Sequence, residues 1–170
     1  MKEFLFAFNA LPENYITVDI ETTGFGSAEA PAGIVTFGIA TVENGVILKP
    51  KEFVLNPEVE IEPKASQIHG YTNQDVVDKP LLPDAWAEIR KLLEGQVVIM
   101  HHTNFDYPII RERAAHYGLE MPSIVGVFCT MKNTHLWGLE TGLTESRHGL
   151  SLDKMVAALG LVNFRQTSLD

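Results

Sequence analysis

The sequence predicts an α/β fold: a mixed sheet that opens with an antiparallel meander of three strands, continues with parallel strands and carries flanking helices. Two observations lead there. Early in the chain, β-branched and alternating runs recur at Tyr15–Ile20, Ile34–Val42 and Val46–Leu55, and Glu43-Asn44-Gly45 supplies a turn between the last two. After them, helical periodicity alternates with short apolar runs. Leu82–Leu93 sets Trp86, Ile89, Leu92 and Leu93 at helical spacing, and Gly95 follows as a stop signal. Val97–Met100 reads as a short buried strand, Phe105–Tyr117 as a helix, Ile124–Phe128 as a strand and Leu152–Leu159 as a helix.

A chain of 170 residues with 45% hydrophobic content fits one domain, and at this size roughly 70% of the unfolded surface is buried on folding. No apolar run approaches the ~20 residues of a membrane span. The segment Met1–Leu11 is too acidic at Glu3 and too interrupted at Asn9 for a signal peptide. The expectation is a soluble protein with no membrane partner. Its single cysteine, Cys129, excludes an internal disulfide and a thiolate-rich zinc site and is compatible with a reducing cytoplasm. Thirteen Lys and Arg against 22 Asp and Glu leave a net charge of −9, which opposes long contacts with a phosphate backbone. Any nucleic-acid contact must be local, at a site where metal ions offset carboxylates and a strand end is gripped. There is no internal repeat. Gly26–Gly33 and the polar stretch Gly138–Gly149 read as loops.

Asp19 and Glu21 stand two apart on a predicted strand, so both point to one face while Val18 and Ile20 point to the other. A lone D-x-E is most simply the solvated face of an edge strand. Here Thr22-Thr23-Gly24 follows as a tight turn after a core-forming strand, which argues for a strand end facing a cleft. Two carboxylates in a cleft call for a cation, and all-oxygen ligands suit magnesium or manganese. A second group, His101-His102-Thr103-Asn104-Phe105-Asp106, lies at a strand-to-helix junction. Asn104 is expected as the N-cap, which places Asp106 in the first helical turn, where the helix dipole alone accounts for an acid. Phe105 is either a core residue or a ring on which a terminal base stacks. His101 and His102 read more simply as hydrogen-bonded residues than as zinc ligands.

These segments resemble the motifs of a known family. Val18-Asp19-Ile20-Glu21-Thr22-Thr23-Gly24 is similar to the first motif of the DEDDh (DnaQ-like) 3′-to-5′ exonucleases, relatives of the epsilon proofreading subunit of bacterial DNA polymerase III. His101–Asp106 resembles the second, H-N-x-x-F-D, with His102 where asparagine is usual. Ala65-Ser66-Gln67-Ile68-His69-Gly70-Tyr71-Thr72 resembles A-x-x-I-H-G-(I/V)-T, and Phe128-Cys129-Thr130-Met131 resembles a later strand in which cysteine replaces a commoner aspartate. The resemblance covers almost the whole chain. It implies a ribonuclease-H-like architecture and two divalent ions, Mg2+ or Mn2+, about 3.5–4 Å apart on Asp19, Glu21 and Asp106. One ion would activate the attacking water and the other would stabilise the leaving 3′ oxygen. It further implies that Thr22, Thr23, His69, His102 and Phe105 bind the substrate, the 3′ end of single-stranded DNA or RNA, with a DNA polymerase subunit as a candidate partner.

The family's third motif is a histidine followed five residues later by an aspartate, and His148 and Asp153 show that spacing. Leu152, Met155, Val156 and Leu159 form an apolar stripe with Ser151 as cap, so Asp153 is explained as a first-turn helix acid. Leu150–Leu161 resembles the family's penultimate helix. The expectation is therefore one exonuclease domain over residues 1–170 that lacks the final helix bearing the third motif. Two functions stay open: a 3′-to-5′ exonuclease on DNA or short RNA, and a non-catalytic binding or scaffold protein of the same fold.

Overall fold

The computed structural model describes residues 12–27, 31–143 and 150–161. Its sheet is mixed. Strand β1 (Tyr15–Thr22) lies between β2 (Ile34–Glu43), which runs antiparallel to it, and β5 (Val97–Met100), which runs parallel; β6 (Gly126–Cys129) extends the parallel side. On the outer side of β2 lie β3 (Val46–Ile47) and β4 (Lys51–Val54). The sequence predicts one strand over Val46–Leu55, and the structure divides it. Val42 faces Ile47 while Ile39 faces Lys51, so one extra residue is accommodated between the two ladders. Pro50 lies in that interval and has no N–H to give to a ladder. The preceding turn forms as predicted, with Asn44 and Gly45 at φ 51° and 76°.

Alternation along β1 decides which face is core. Ile16, Val18 and Ile20 are buried and pack with Trp86, Ile89 and Leu93 of α3 (Leu82–Leu93) and with Ile109, Ile110 and Ala114 of α4 (Thr103–His116). Helix α3 begins where Asp84 accepts the Leu81 amide at 2.9 Å, and Gly95 follows its end at φ 70°. A smaller cluster joins Val35 to Ile61, to Ala65 of α1 (Pro63–His69) and to Val76 of α2 (Asn73–Val76).

Helices α1 and α2, together with α5 (Thr130–Asn133) and α6 (His135–Glu140), were not foreseen from periodicity. All four are too short to show an i, i+3, i+4, i+7 stripe. Helix α6 also converts the first part of the predicted Gly138–Gly149 loop into helix; residues 144–149, with His148, lie outside the described residues, as do residues 28–30 of the other loop. Helix α7 (Leu152–Ala158) starts after Ser151 as expected, but its stripe is not core: Leu152 and Leu159 are about half exposed and no residue of the helix is fully buried.

Trp86 ties α3 to the segment after α4 by donating its indole N–H to the Glu120 carbonyl at 3.0 Å, with the ring 4% exposed. Trp86→Ala is expected to lower stability by about 3–5 kcal/mol, measured by urea unfolding with an unchanged m-value.

Candidate active site

The sheet brings Asp19 and Glu21 to an open end. The β1–β5 ladder pairs Ile16 with Val98 and Thr17 with Ile99, whereas the β1–β2 ladder runs on to Thr22. Past Thr17, β1 thus extends beyond the place where β5 turns away into α4. That is the carboxyl end of the parallel strands, where a crevice opens in α/β sheets. A register shift between Glu21 and Thr22 bends the strand there, as bulges beside functional sites do. Strand β1 is interior to the sheet as a whole, but Asp19 and Glu21 lie past its pairing with β5 and are held by β2 alone, so this end of the strand is open to the crevice.

The third acid comes from α4. The chain turns from β5 into this helix through His101 and His102, and His102 stands at the N-cap with φ 63° and ψ 50°. Asn104, expected as the cap, lies inside the helix instead. Outside glycine, the left-handed region favours Asn, Asp and His, which accounts for histidine here where the resembling family has asparagine. The Phe105 amide donates to the His102 carbonyl at 2.8 Å and closes the first turn. Asp106 in that turn is only 4% exposed. Burial first, then the charges of Asp19 and Glu21, push its carboxyl up from 3.8 to about 7, against the lowering effect of a hydrogen bond from its own amide. Exposed Asp19 and half-buried Glu21 therefore share one electrostatic neighbourhood with Asp106. Among the described residues, no three His, Cys, Asp or Glu side chains converge closely enough to hold an ion as they stand. The donor set is all carboxylate and mutually repelling, which suits a hard divalent cation; its geometry is open.

Beside the acids lies a cleft of about 350 Å³ whose lining includes Glu21, Thr22, Phe25, Glu62, Ile68 and Phe105. Phe25 and Ile68 are 85% and 72% exposed, and the Phe25 and Phe105 rings meet edge to face at 5.6 Å. The exposed His102 ring stacks near Phe105, with centroids 6.3 Å apart and planes 18° apart. Phe25, Ile68 and Glu62 are additions to the residues foreseen. An apolar residue directly after Thr-Thr-Gly was a usable signal for Phe25; nothing in the local pattern marked Glu62.

The remaining candidates hold the cleft in shape. His69 accepts the Tyr71 amide on Nδ1 at 3.1 Å, so its proton sits on Nε2, which faces the Thr22 carbonyl at 3.3 Å. Burial lowers its pKa, outweighing the Thr22 contact. Thr22 donates its hydroxyl to the Gly24 carbonyl at 2.9 Å. Thr23 is turned inward: its amide donates to the Gly33 carbonyl at 3.0 Å and its hydroxyl accepts the Gly33 amide at 2.9 Å. Thr23 thus braces the turn with the groups foreseen for substrate. His101 is a tether, with Nδ1 2.9 Å from the Thr130 hydroxyl and a further bond to the Leu150 backbone.

Comparison with known proteins gives the family and the fold. The family model described as Exonuclease (RNase_T) matches residues 16–165. The chain belongs to the RNase_T exonuclease family. It is 27% identical over 151 residues to a DNA polymerase III PolC-type protein of Thermotoga maritima, covering 89% of this chain and 10% of that protein. It is 32% identical over 92 residues to the DNA polymerase III subunit epsilon of Rickettsia prowazekii, covering 54% of this chain and 40% of that subunit. The chain thus spans about a tenth of the PolC-type relatives' length and under half of the epsilon subunit. Among solved structures, the nuclease domain of 3′hExo, a DEDDh family member bound to rAMP, superposes with a TM-score of 0.67 at 13% identity, over 88% of this chain and 80% of that one. The shared fold is the ribonuclease-H-like mixed sheet.

The pH dependence of stability follows from Asp106. Its folded pKa lies above the ordinary 3.8, so between about pH 4 and 7 the folded protein holds a proton that the unfolded chain has lost, and stability falls as pH rises through that window. In the absence of divalent metal, Asp106→Asn is expected to remove this fall and to be more stable than wild type at pH 8, by at most about 4 kcal/mol. Thermal unfolding of both proteins at pH 5 and pH 8 measures it.

Proposed function

We propose that this exonuclease-family chain removes nucleotides from the 3′ end of DNA by two-metal-ion phosphodiester hydrolysis, with Asp19, Glu21 and Asp106 as the ligands. One observation carries the reading: the Asp106 carboxyl, pushed up to about 7 by its burial first and by the charges of Asp19 and Glu21 second, lies beside a cleft walled with aromatic rings. Mg2+ or Mn2+ bound there supplies an activated water and charge stabilisation for the leaving 3′ oxygen. The protein's own part is positioning and charge. Phe25, Phe105 and Ile68 give the terminal base apolar walls, and base–aromatic stacking contributes about 1–3 kcal/mol per base. His102 extends the Phe105 platform. His69 fixes the Thr22 carbonyl and thereby the inner end of the cleft. With a net charge of −9, the grip is on a strand end and not along a backbone. The polymerase III relatives support DNA as substrate and a polymerase subunit as partner, in the cytoplasm.

Asp153 is exposed in the first turn of α7 and lines neither the aromatic cleft nor the groove beside Asp19. We accordingly assign it no ligand role. A second reading, a non-catalytic nucleic-acid-binding or scaffold protein, is favoured by the open spacing of the three carboxylates.

Digestion of a 3′-labelled oligonucleotide with Mg2+ or Mn2+ separates the two readings. Asp19→Asn and Asp106→Asn are expected to lower turnover by about a hundredfold or more, with Asp153→Asn close to wild type; equal damage by Asp153→Asn would place the third motif at His148 and Asp153. Manganese is also expected to raise the melting temperature of wild type and not of Asp106→Ala, since a ligand of the folded state stabilises by mass action. An equal rise in both proteins would remove Asp106 from the site.

A further inference from the structure

The polar groups of the aromatic cleft are committed apart from two exposed side chains of opposite charge, Lys64 and Glu62. Glu21 belongs to the carboxylate cluster, the Thr22 hydroxyl is spent on the Gly24 carbonyl, and both ring nitrogens of His69 are engaged. The Glu62 side chain differs. Its backbone is fixed, the amide donating to the Thr23 carbonyl at 2.8 Å and the carbonyl accepting from the Ser66 amide at 3.0 Å. Its carboxylate has no hydrogen-bond or ion-pair partner among the described residues, and it lies across Gly24: a Cβ built on that glycine would stand 2.2 Å from Oε1. Gly24, at φ 144°, is the residue that gives this side chain room to reach the end of β1. The result is an acceptor-only group among the walls formed by Phe25, Ile68 and Phe105.

Resting on the reading of this cleft as the terminal-nucleotide site, we infer that Glu62 reads the terminal base, accepting a hydrogen bond from the exocyclic amino group of cytosine or adenine and disfavouring thymine. A base held flat between apolar walls can meet a polar group only with its edge. Cytosine N4 and adenine N6 bring donors there, and a carboxylate accepts from them, as Glu and Asp do from cytosine N4 in DNA recognition. Thymine carries a carbonyl at the equivalent position, and two acceptors facing each other repel. The charge also opposes the nucleotide's own phosphate, so the signature of Glu62 is a ratio between bases and not a gain in absolute affinity.

The test measures binding of dCMP, dTMP and CMP to the whole chain in Mn2+ by calorimetry, for wild type, Glu62→Gln and Glu62→Ala, with melting temperatures confirming that each variant is folded. Wild type is expected to bind dCMP about fivefold more tightly than dTMP, and both variants to bring that ratio close to one while leaving the CMP-to-dCMP ratio unchanged. Equal binding of dCMP and dTMP by wild type overturns the inference and leaves the cleft reading standing. A change in the CMP-to-dCMP ratio, with the base ratio kept, overturns it in favour of a contact to the sugar. Absence of binding by any of the three nucleotides overturns both the inference and the cleft reading.

Discussion

Like-charge repulsion among three carboxylates at one end of β1 is the constraint on which the rest of this molecule turns. Asp106 is buried within the field of Asp19 and Glu21, and its carboxyl is pushed up to about 7 as a result. A fold that merely sought stability would not set acids this way, since burying an uncompensated charge is among the more expensive arrangements a protein can hold. The surrounding structure enforces it. Two ladders fix β1 from both sides, a register shift bends it at Glu21, and the left-handed His102 turns α4 so that its first turn faces the strand. Strain and repulsion of this kind concentrate at functional sites.

The substrate side of the cleft depends on a separate set of bonds. Thr23 and Gly33 clasp each other through backbone and hydroxyl, Glu62 ties α1 to the Thr23 carbonyl, and the His69 ring meets the Thr22 carbonyl. These bonds leave the large apolar side chains Phe25 and Ile68 exposed at the mouth. Exposed apolar groups that rim a polar site mark a surface meant to be covered.

Much of this was legible in the sequence, and the reasons are local. The alternation at Tyr15–Ile20 and the stripe at Leu82–Leu93 each report one buried face, so strand β1 and helix α3 were read with nearly correct ends. The Asp19 and Glu21 pair could be placed on one face by the same period of two. What failed was what depends on tertiary context. The break of the third strand near Pro50 comes from pairing with β2, and the capping role of His102 from a corner that only the β5-to-α4 connection demands. The stripe on α7 was real as a pattern, yet Leu152 and Leu159 remain half exposed, because periodicity records what a helix can bury and not what is there to cover it. The clasp between Thr23 and Gly33 joins residues ten apart, and no local pattern announces that bond. Glu62 sits before Pro63 with nothing to distinguish it from a surface acid until the Gly24 backbone is found beneath it.

The central claim is that Asp19, Glu21 and Asp106 act as one electrostatic unit, and carbon-detected NMR of the Asp106 carboxyl tests it most directly. In metal-free protein the Asp106 carboxyl is predicted to titrate near 7, to move toward the ordinary carboxylate range when Asp19→Asn and Glu21→Gln are combined, and to lose its titration near 7 on addition of Mg2+. A midpoint already in the ordinary range in wild type, or one that neither the double substitution nor magnesium moves, would contradict the account.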